Sequence, residues 1–227
     1  MNPSPRIALI HATPLSMAPV QTAFERQWPH AWRMNLLDDS LSVDRADAGQ
    51  LTDAMVQRFV ALAQYAQGAG CSGILFTCSA FGPAIDAAAR ATGIPTLKPN
   101  EAMFEQALAR SVDGRTVRLG LVATFQASVA SLTEELHAMA AQRGITVDMR
   151  SVFVPEAMQD LAAGRIADHH RRIAEAAPQL NDCDAVMLAQ FSMADALSQV
   201  QARLACPVLT SPDCAVIALK QRLGADA

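Results

Sequence analysis

Short apolar runs of strand length alternate along the whole chain with longer stretches whose apolar positions recur every three or four residues. The short runs predict strands at Arg6–Ala12, Arg33–Leu37, Gly73–Thr77, Pro95–Leu97, Val117–Ala123, Thr146–Val154, Ala185–Ala189 and Pro207–Leu209. A typical helical stretch is Leu51–Ala69, where Leu51, Met55, Phe59, Leu62 and Ala66 share a face and Gly68 and Gly70 mark the end. Strands that alternate with helices in this way are βα units, so the fold class is α/β, with mainly parallel sheet flanked by helices. No Gly/Ser/Pro-rich linker or low-complexity tract divides the chain.

The pattern repeats. Cys78 ends one strand and Pro95 opens the next 17 residues later; Gln190 ends another, and Pro207 follows after the same 17. Thr13 lies 65 residues before Cys78, and Thr124 lies 66 before Gln190. The exits also match: Pro99-Asn100-Glu101-Ala102 and Pro212-Asp213-Cys214-Ala215 both read as helix starts, a Pro followed by a capping Asn or Asp. The duplication predicts two pseudo-twofold-related lobes, residues 1–98 with 210–227 and residues 99–209. Ligands of parallel sheets bind beyond the carboxyl ends of the strands, so Thr13, Cys78, Thr124 and Gln190 are expected to line a shared cleft.

Composition narrows the function. The 227 residues are 51% hydrophobic and 18% charged, with 18 basic against 22 acidic side chains. No basic run exceeds Arg171-Arg172, which leaves no electrostatic footprint for nucleic acid or an anionic membrane. A small-molecule partner is expected. The apolar run after Arg6 is too short for a signal-peptide core, and nothing approaches a membrane span, so the expected location is the cytoplasm. The five cysteines are odd in number and not at metal-ligand spacing. Cys71, Cys183, Cys206 and Cys214 read as reduced core or near-surface thiols, with Cys214, in the turn after the last strand, the one to check.

Three segments carry chemistry: Ile74-Leu75-Phe76-Thr77-Cys78-Ser79-Ala80, Leu119-Gly120-Leu121-Val122-Ala123-Thr124 and Val186-Met187-Leu188-Ala189-Gln190-Phe191-Ser192. In their order and spacing they resemble the aspartate/glutamate/hydantoin racemase superfamily, which also includes maleate isomerase and arylmalonate decarboxylase. The resemblance implies a cofactor-independent isomerase acting on a small carboxylate such as an amino acid, and a homodimer. It also implies two catalytic cysteines, one on each face of the α-carbon. Cys78 matches the first, but Gln190 stands where the second belongs. An amide has no proton to exchange near neutral pH, so symmetric two-thiol racemisation is not expected. Arylmalonate decarboxylase resembles this arrangement with one cysteine, in the opposite lobe to Cys78. The alternatives are therefore a one-thiol decarboxylase or lyase that protonates one face of a carbanion, and a carboxylate-binding protein without catalysis.

The candidate residues divide accordingly. Cys78 sits at a strand-to-helix turn whose amides favour a thiolate and a bound carboxylate; the alternative is a buried core thiol. Thr77 and Ser79 offer hydroxyls, Ser79 and Ala80 backbone amides. Gln190, with Phe191 and Ser192 after it, is either a structural amide or a hydrogen-bond partner of the substrate, and Thr13 and Thr124 are caps or carboxylate contacts. His11 is either a satisfied interior histidine or the missing second acid-base group. Lys98 and Lys220 are the only lysines, both read as solvated, and no phosphate-cradling loop accompanies them. His169-His170 reads as a solvated helix face, with no metal assigned.

Overall fold

The computed structural model describes residues 4–112 and 114–225. They divide into two compact units: residues up to Ala102 together with those from Ala215, and Met103–Cys214.

In the first unit, β1 (Arg6–His11), β2 (Trp32–Leu37), β3 (Gly73–Phe76) and β4 (Thr96–Leu97) form a parallel sheet in the order β2-β1-β3-β4. Its helices are α1 (Met17–Gln27), α2 (Ser40–Ala48), α3 (Asp53–Gly68) and α4 (Gly82–Thr92), and α5 (Glu101–Leu108) leads into the second unit. The central strands are apolar over Ile7–Ile10 of β1 and the whole of β3 because both of their faces are covered, whereas the edge strand β2 mixes half-buried and exposed positions. Thr52 starts α3 by accepting a hydrogen bond from the Met55 amide. Met55, Phe59, Ala63 and Ala66 then point into the core at helical spacing.

The second unit repeats this order. β5 (Val117–Ala123), β6 (Val147–Phe153), β7 (Ala185–Leu188) and β8 (Val208–Thr210) form a parallel sheet β6-β5-β7-β8, with α6 (Gln126–Gln142), α7 (Pro155–Ala162), α8 (Ile166–Ala176) and α9 (Leu197–Gln201); α10 (Ser211–Arg222) starts in this unit and continues into the first. The registers correspond, β1 pairing Ile10 with Phe76 and β5 pairing Val122 with Leu188. Gly120 is required by close approach: a Cβ there would lie 2.8 Å from Leu180 Cδ1.

Two expectations need correction. The last helix starts at Ser211, so the cap is Thr210, whose hydroxyl accepts the Asp213 amide while its proton goes to the Asp213 carboxylate. His169 is fully buried, not solvated. It shares the inner face of α8 with Ile173, one turn on, and its Nδ1 donates to the Ala157 carbonyl at 2.7 Å. Among the described residues no helix is long and apolar enough to cross a membrane.

Candidate functional site

In the first unit, the carboxyl ends of β1 and β3 bring His11, Thr13, Thr77 and Cys78 to one edge of the sheet. Cys78 is extended (φ −125°, ψ 119°) and hands the chain to a single 3-10 turn, Ser79–Phe81, before α4. The turn is anchored at both ends: Phe76 before it and Phe81, its last residue, stack against Phe59 of α3, with ring centroids 5.2 and 4.7 Å away. Cys78 is half-buried, while Ser79 and Ala80 are exposed.

The Ala80 amide donates to the Cys78 sulfur and pulls its pKa down, but burial pushes it up by more, so the net shift is upward. The expected stabilisation of a thiolate is therefore outweighed. A single short turn presents few amides, and the sulfur has left water. The upward shift favours the protonated thiol over the thiolate.

His11 is 1% exposed, with both ring nitrogens engaged. Nε2 lies 3.0 Å from Asn35 Oδ1, an acceptor, so Nε2 carries the proton. Nδ1 is then free to accept from Thr77 Oγ1 at 2.9 Å or Ser16 Oγ at 3.0 Å, and these two hydroxyls are themselves 2.8 Å apart. The single hydroxyl proton of Ser16 goes to the Thr13 carbonyl, so Thr77 is the hydroxyl that donates to Nδ1. Burial lowers the His11 pKa, the Asn35 bond opposing it. This closed triangle ties the turn after β1 to the residue preceding Cys78. Thr13 caps the 3-10 turn Pro14–Ser16, its hydroxyl accepting the Leu15 amide at 3.4 Å.

In the second unit, Thr124 and Gln190 meet at the ends of β5 and β7. Gln190 Oε1 accepts from the Thr124 amide at 2.9 Å and from the Thr124 hydroxyl at 3.1 Å. A backbone N–H only donates, which fixes the oxygen on that side and leaves Nε2 on the other. Nε2 is buried and has no hydrogen-bond partner among the described residues. Phe191 and Ser192, both half-buried, open the 3-10 helix Phe191–Ala196. By strand register the positions matching His11 and Thr77 here are Ala123 and Ala189, so the buried polar triangle belongs to the first unit alone.

The sequence model of the Asp/Glu/Hydantoin racemase family matches residues 19–152, more than half of the chain, across Cys78 and Thr124. The chain belongs to this family. Solved structures agree in fold. Unliganded arylmalonate decarboxylase is 19% identical at a TM-score of 0.64, covering 99% of this chain and 94% of that one. Allantoin racemase from Klebsiella pneumoniae is 16% identical (TM-score 0.69; 98% and 89% covered). Glutamate racemase from Bacillus anthracis is 17% identical (TM-score 0.66; 100% and 84% covered). No curated protein sequence matches significantly.

The remaining candidates of this racemase-family chain are occupied elsewhere. Cys214 is buried in the first turn of α10, its pKa pushed up to about 12 by burial and then by the Asp213 charge. Its sulfur faces Gln106 Oε1, so it is an inert core thiol. Lys98, expected to be solvated, is half-buried and donates to Asp86 at 2.9 Å, while Lys220 sits in the last turn of α10. Ser16 and Asn35, which hold His11, were not among the sequence candidates. Their one signal was an asparagine between apolar residues on β2.

Proposed function

We propose that the protein is a cofactor-independent enzyme of the racemase and isomerase kind, moving a proton at the carbon beside the carboxylate of a small acid such as an amino acid. The observation that supports this best is Cys78, a thiol at a strand end that accepts the Ala80 amide in a turn fixed by three stacked phenylalanines. In this reading Cys78 exchanges the proton, the amides of Ser79 and Ala80 with the hydroxyl of Thr13 receive the carboxylate, and Thr77, whose own proton goes to His11 Nδ1, holds the turn beside them. Thr124, Phe191 and Ser192 complete the substrate contacts, and Gln190 serves as a hydrogen-bond donor. His11 positions Thr77; with both nitrogens bonded inside the unit, it is not the second acid-base group.

The raised Cys78 pKa favours a second reading within the same chemistry: a decarboxylase or lyase in which the resting thiol delivers its proton to one face of a carbanion. Burial keeps the proton on sulfur until the carbanion forms, and Gln190 has none to offer the other face.

Proton NMR in deuterium oxide distinguishes these readings. Wild type and Cys78→Ser are incubated with amino acids, hydantoins and malonates while the α-proton is followed. Cys78-dependent exchange with formation of the opposite enantiomer establishes the racemase. Loss of carbon dioxide with deuterium on one face establishes the lyase, and silence across the panel with ligand binding intact would overturn both in favour of a carboxylate-binding protein.

A further inference from the structure

The opposite edge of the second unit's sheet, where its strands begin, holds two thiols that the proposed chemistry does not use. Cys183 immediately precedes the β7 approach and Cys206 the β8 approach, and both line one cavity of about 400 Å³ with Arg110, Arg115, Asn181 and Asp184. Both sulfur-bearing side chains pack on the same apolar cluster, which includes Val186 and Val208.

The backbone holds them close. Val186 and Val208 are register partners, and the Val186 amide donates to the Pro207 carbonyl at 2.9 Å. Continued two residues back beyond the strands, this register sets Asp184 beside Cys206 at the ~4.8 Å spacing of neighbouring strands. Cys183, one residue before Asp184, then lies about 6 Å from Cys206 by strand spacing and rise, within the range of Cα distances that a disulfide spans.

The surroundings are also distinctive. Arg150 donates to the Cys183 sulfur at 3.2 Å while pairing with the Asp182 carboxylate, and Arg115 and Arg118 both pair with Asp184. With Arg110, four arginines face two aspartates among the described residues at this edge. Along β7 the nearest lining residue, Asp184, is six residues from Gln190, about 20 Å at strand rise, so the cavity is separate from the candidate site.

We infer that Cys183 and Cys206 form a redox modification site that reacts with anionic low-molecular-weight disulfides, the arginines drawing the reagent to the half-exposed Cys206. The Cys206 thiolate attacks one sulfur of the reagent, forming a mixed disulfide and releasing one small thiolate. The Cys183 thiolate then attacks Cys206, closing the protein disulfide and releasing the second. Two protein thiols are oxidised and one small disulfide is reduced to two thiols. Burial raises both thiol pKa values, with the Asp182 charge adding to the rise at Cys183 and the charges of Cys183 and Asp184 adding to it at Cys206, while the Arg150 bond opposes it at Cys183. The reaction therefore quickens as pH rises.

The test uses the reduced full chain under native conditions with glutathione disulfide, followed by alkylation, tryptic digestion and mass spectrometry. The expected product loses two hydrogens and links peptide 173–203 to peptide 204–220, fragmentation placing the bond on Cys206 and leaving Cys214 alkylated. Cys183→Ser is expected to accumulate a glutathione adduct on Cys206, and a neutral disulfide, bis(2-hydroxyethyl) disulfide, to react several-fold more slowly with wild type. A link that appears only after denaturation, or an adduct confined to Cys78, would overturn the site. Equal rates with the two disulfides would overturn the role of the arginines. Wild-type mapping is decisive even where a variant fails to fold.

Discussion

Gln190 offers a test that separates holding the turn from binding the substrate, because its two amide atoms do different work. Gln190→Leu removes the acceptor of the buried Thr124 amide and hydroxyl, two bonds of 2.9 and 3.1 Å. An orphaned buried amide costs about 1–3 kcal/mol. In a chain of this size that lowers the melting temperature by roughly 2–12 °C. The same substitution removes Nε2, the buried donor without a partner. A hydrogen bond from that nitrogen to a substrate carboxylate is worth about 1.5–3 kcal/mol, a rise in KM of roughly 10- to 150-fold. Gln190→Glu keeps an oxygen for Thr124 and replaces only the donor, so it is expected to retain more of the thermal stability while KM rises toward alkaline pH. Differential scanning fluorimetry and α-proton exchange kinetics read the two effects separately. An unchanged melting temperature in Gln190→Leu refutes the structural role, and an unchanged KM in both variants refutes the donor role.

Three further outcomes are expected. Cys78→Ser lowers turnover by at least ~10²-fold, and wild-type activity in proton delivery holds through neutral pH and falls as pH rises through the raised Cys78 pKa; a rate that climbs with pH instead assigns Cys78 as the base. The folded His11 pKa lies below its ordinary value of about 6.5, so the unfolded chain binds more protons in that window; stability is full above it and is lost as pH falls through the folded value. Urea unfolding from pH 7 downward checks this, with His11→Gln expected to show a shallower decline; identical slopes would show that His11 does not contribute. Gly120→Ala forces a Cβ to 2.8 Å from Leu180 Cδ1 and 3.1 Å from Val186 Cγ2, for a destabilisation of about 1–3 kcal/mol. A urea midpoint equal to wild type would mean that Leu180 yields freely.

The strands were legible because buried parallel strands are written as unbroken apolar runs, and β5 (Val117–Ala123) was read to the residue. The repeat was legible because both halves keep the same spacing between strand ends, which also nominated Thr13, Cys78, Thr124 and Gln190. Less visible were links that depend on strand pairing and close turns. His11 meets Thr77 across 66 residues, and Thr124 meets Gln190 across another 66. Burial at Cys78 was hidden too, since a thiol's pKa depends on how far packing removes it from water, which no local motif records. His169 was misread because its polar neighbours Asp168, His170 and Arg171 occupy the outer face of α8, and only its four-residue spacing to Ile173 marks it as interior.

The stack of Phe59, Phe76 and Phe81 has a consequence for how this protein can change. The thiol sits between two of the three rings in sequence, and those rings are core, so its position is inherited from the same packing that keeps the unit folded. Drift in that core therefore affects reactivity and abundance together. Ser79 and Ala80 are exposed on the turn and outside that stack, so their side chains are free to vary without disturbing the packing that places the sulfur.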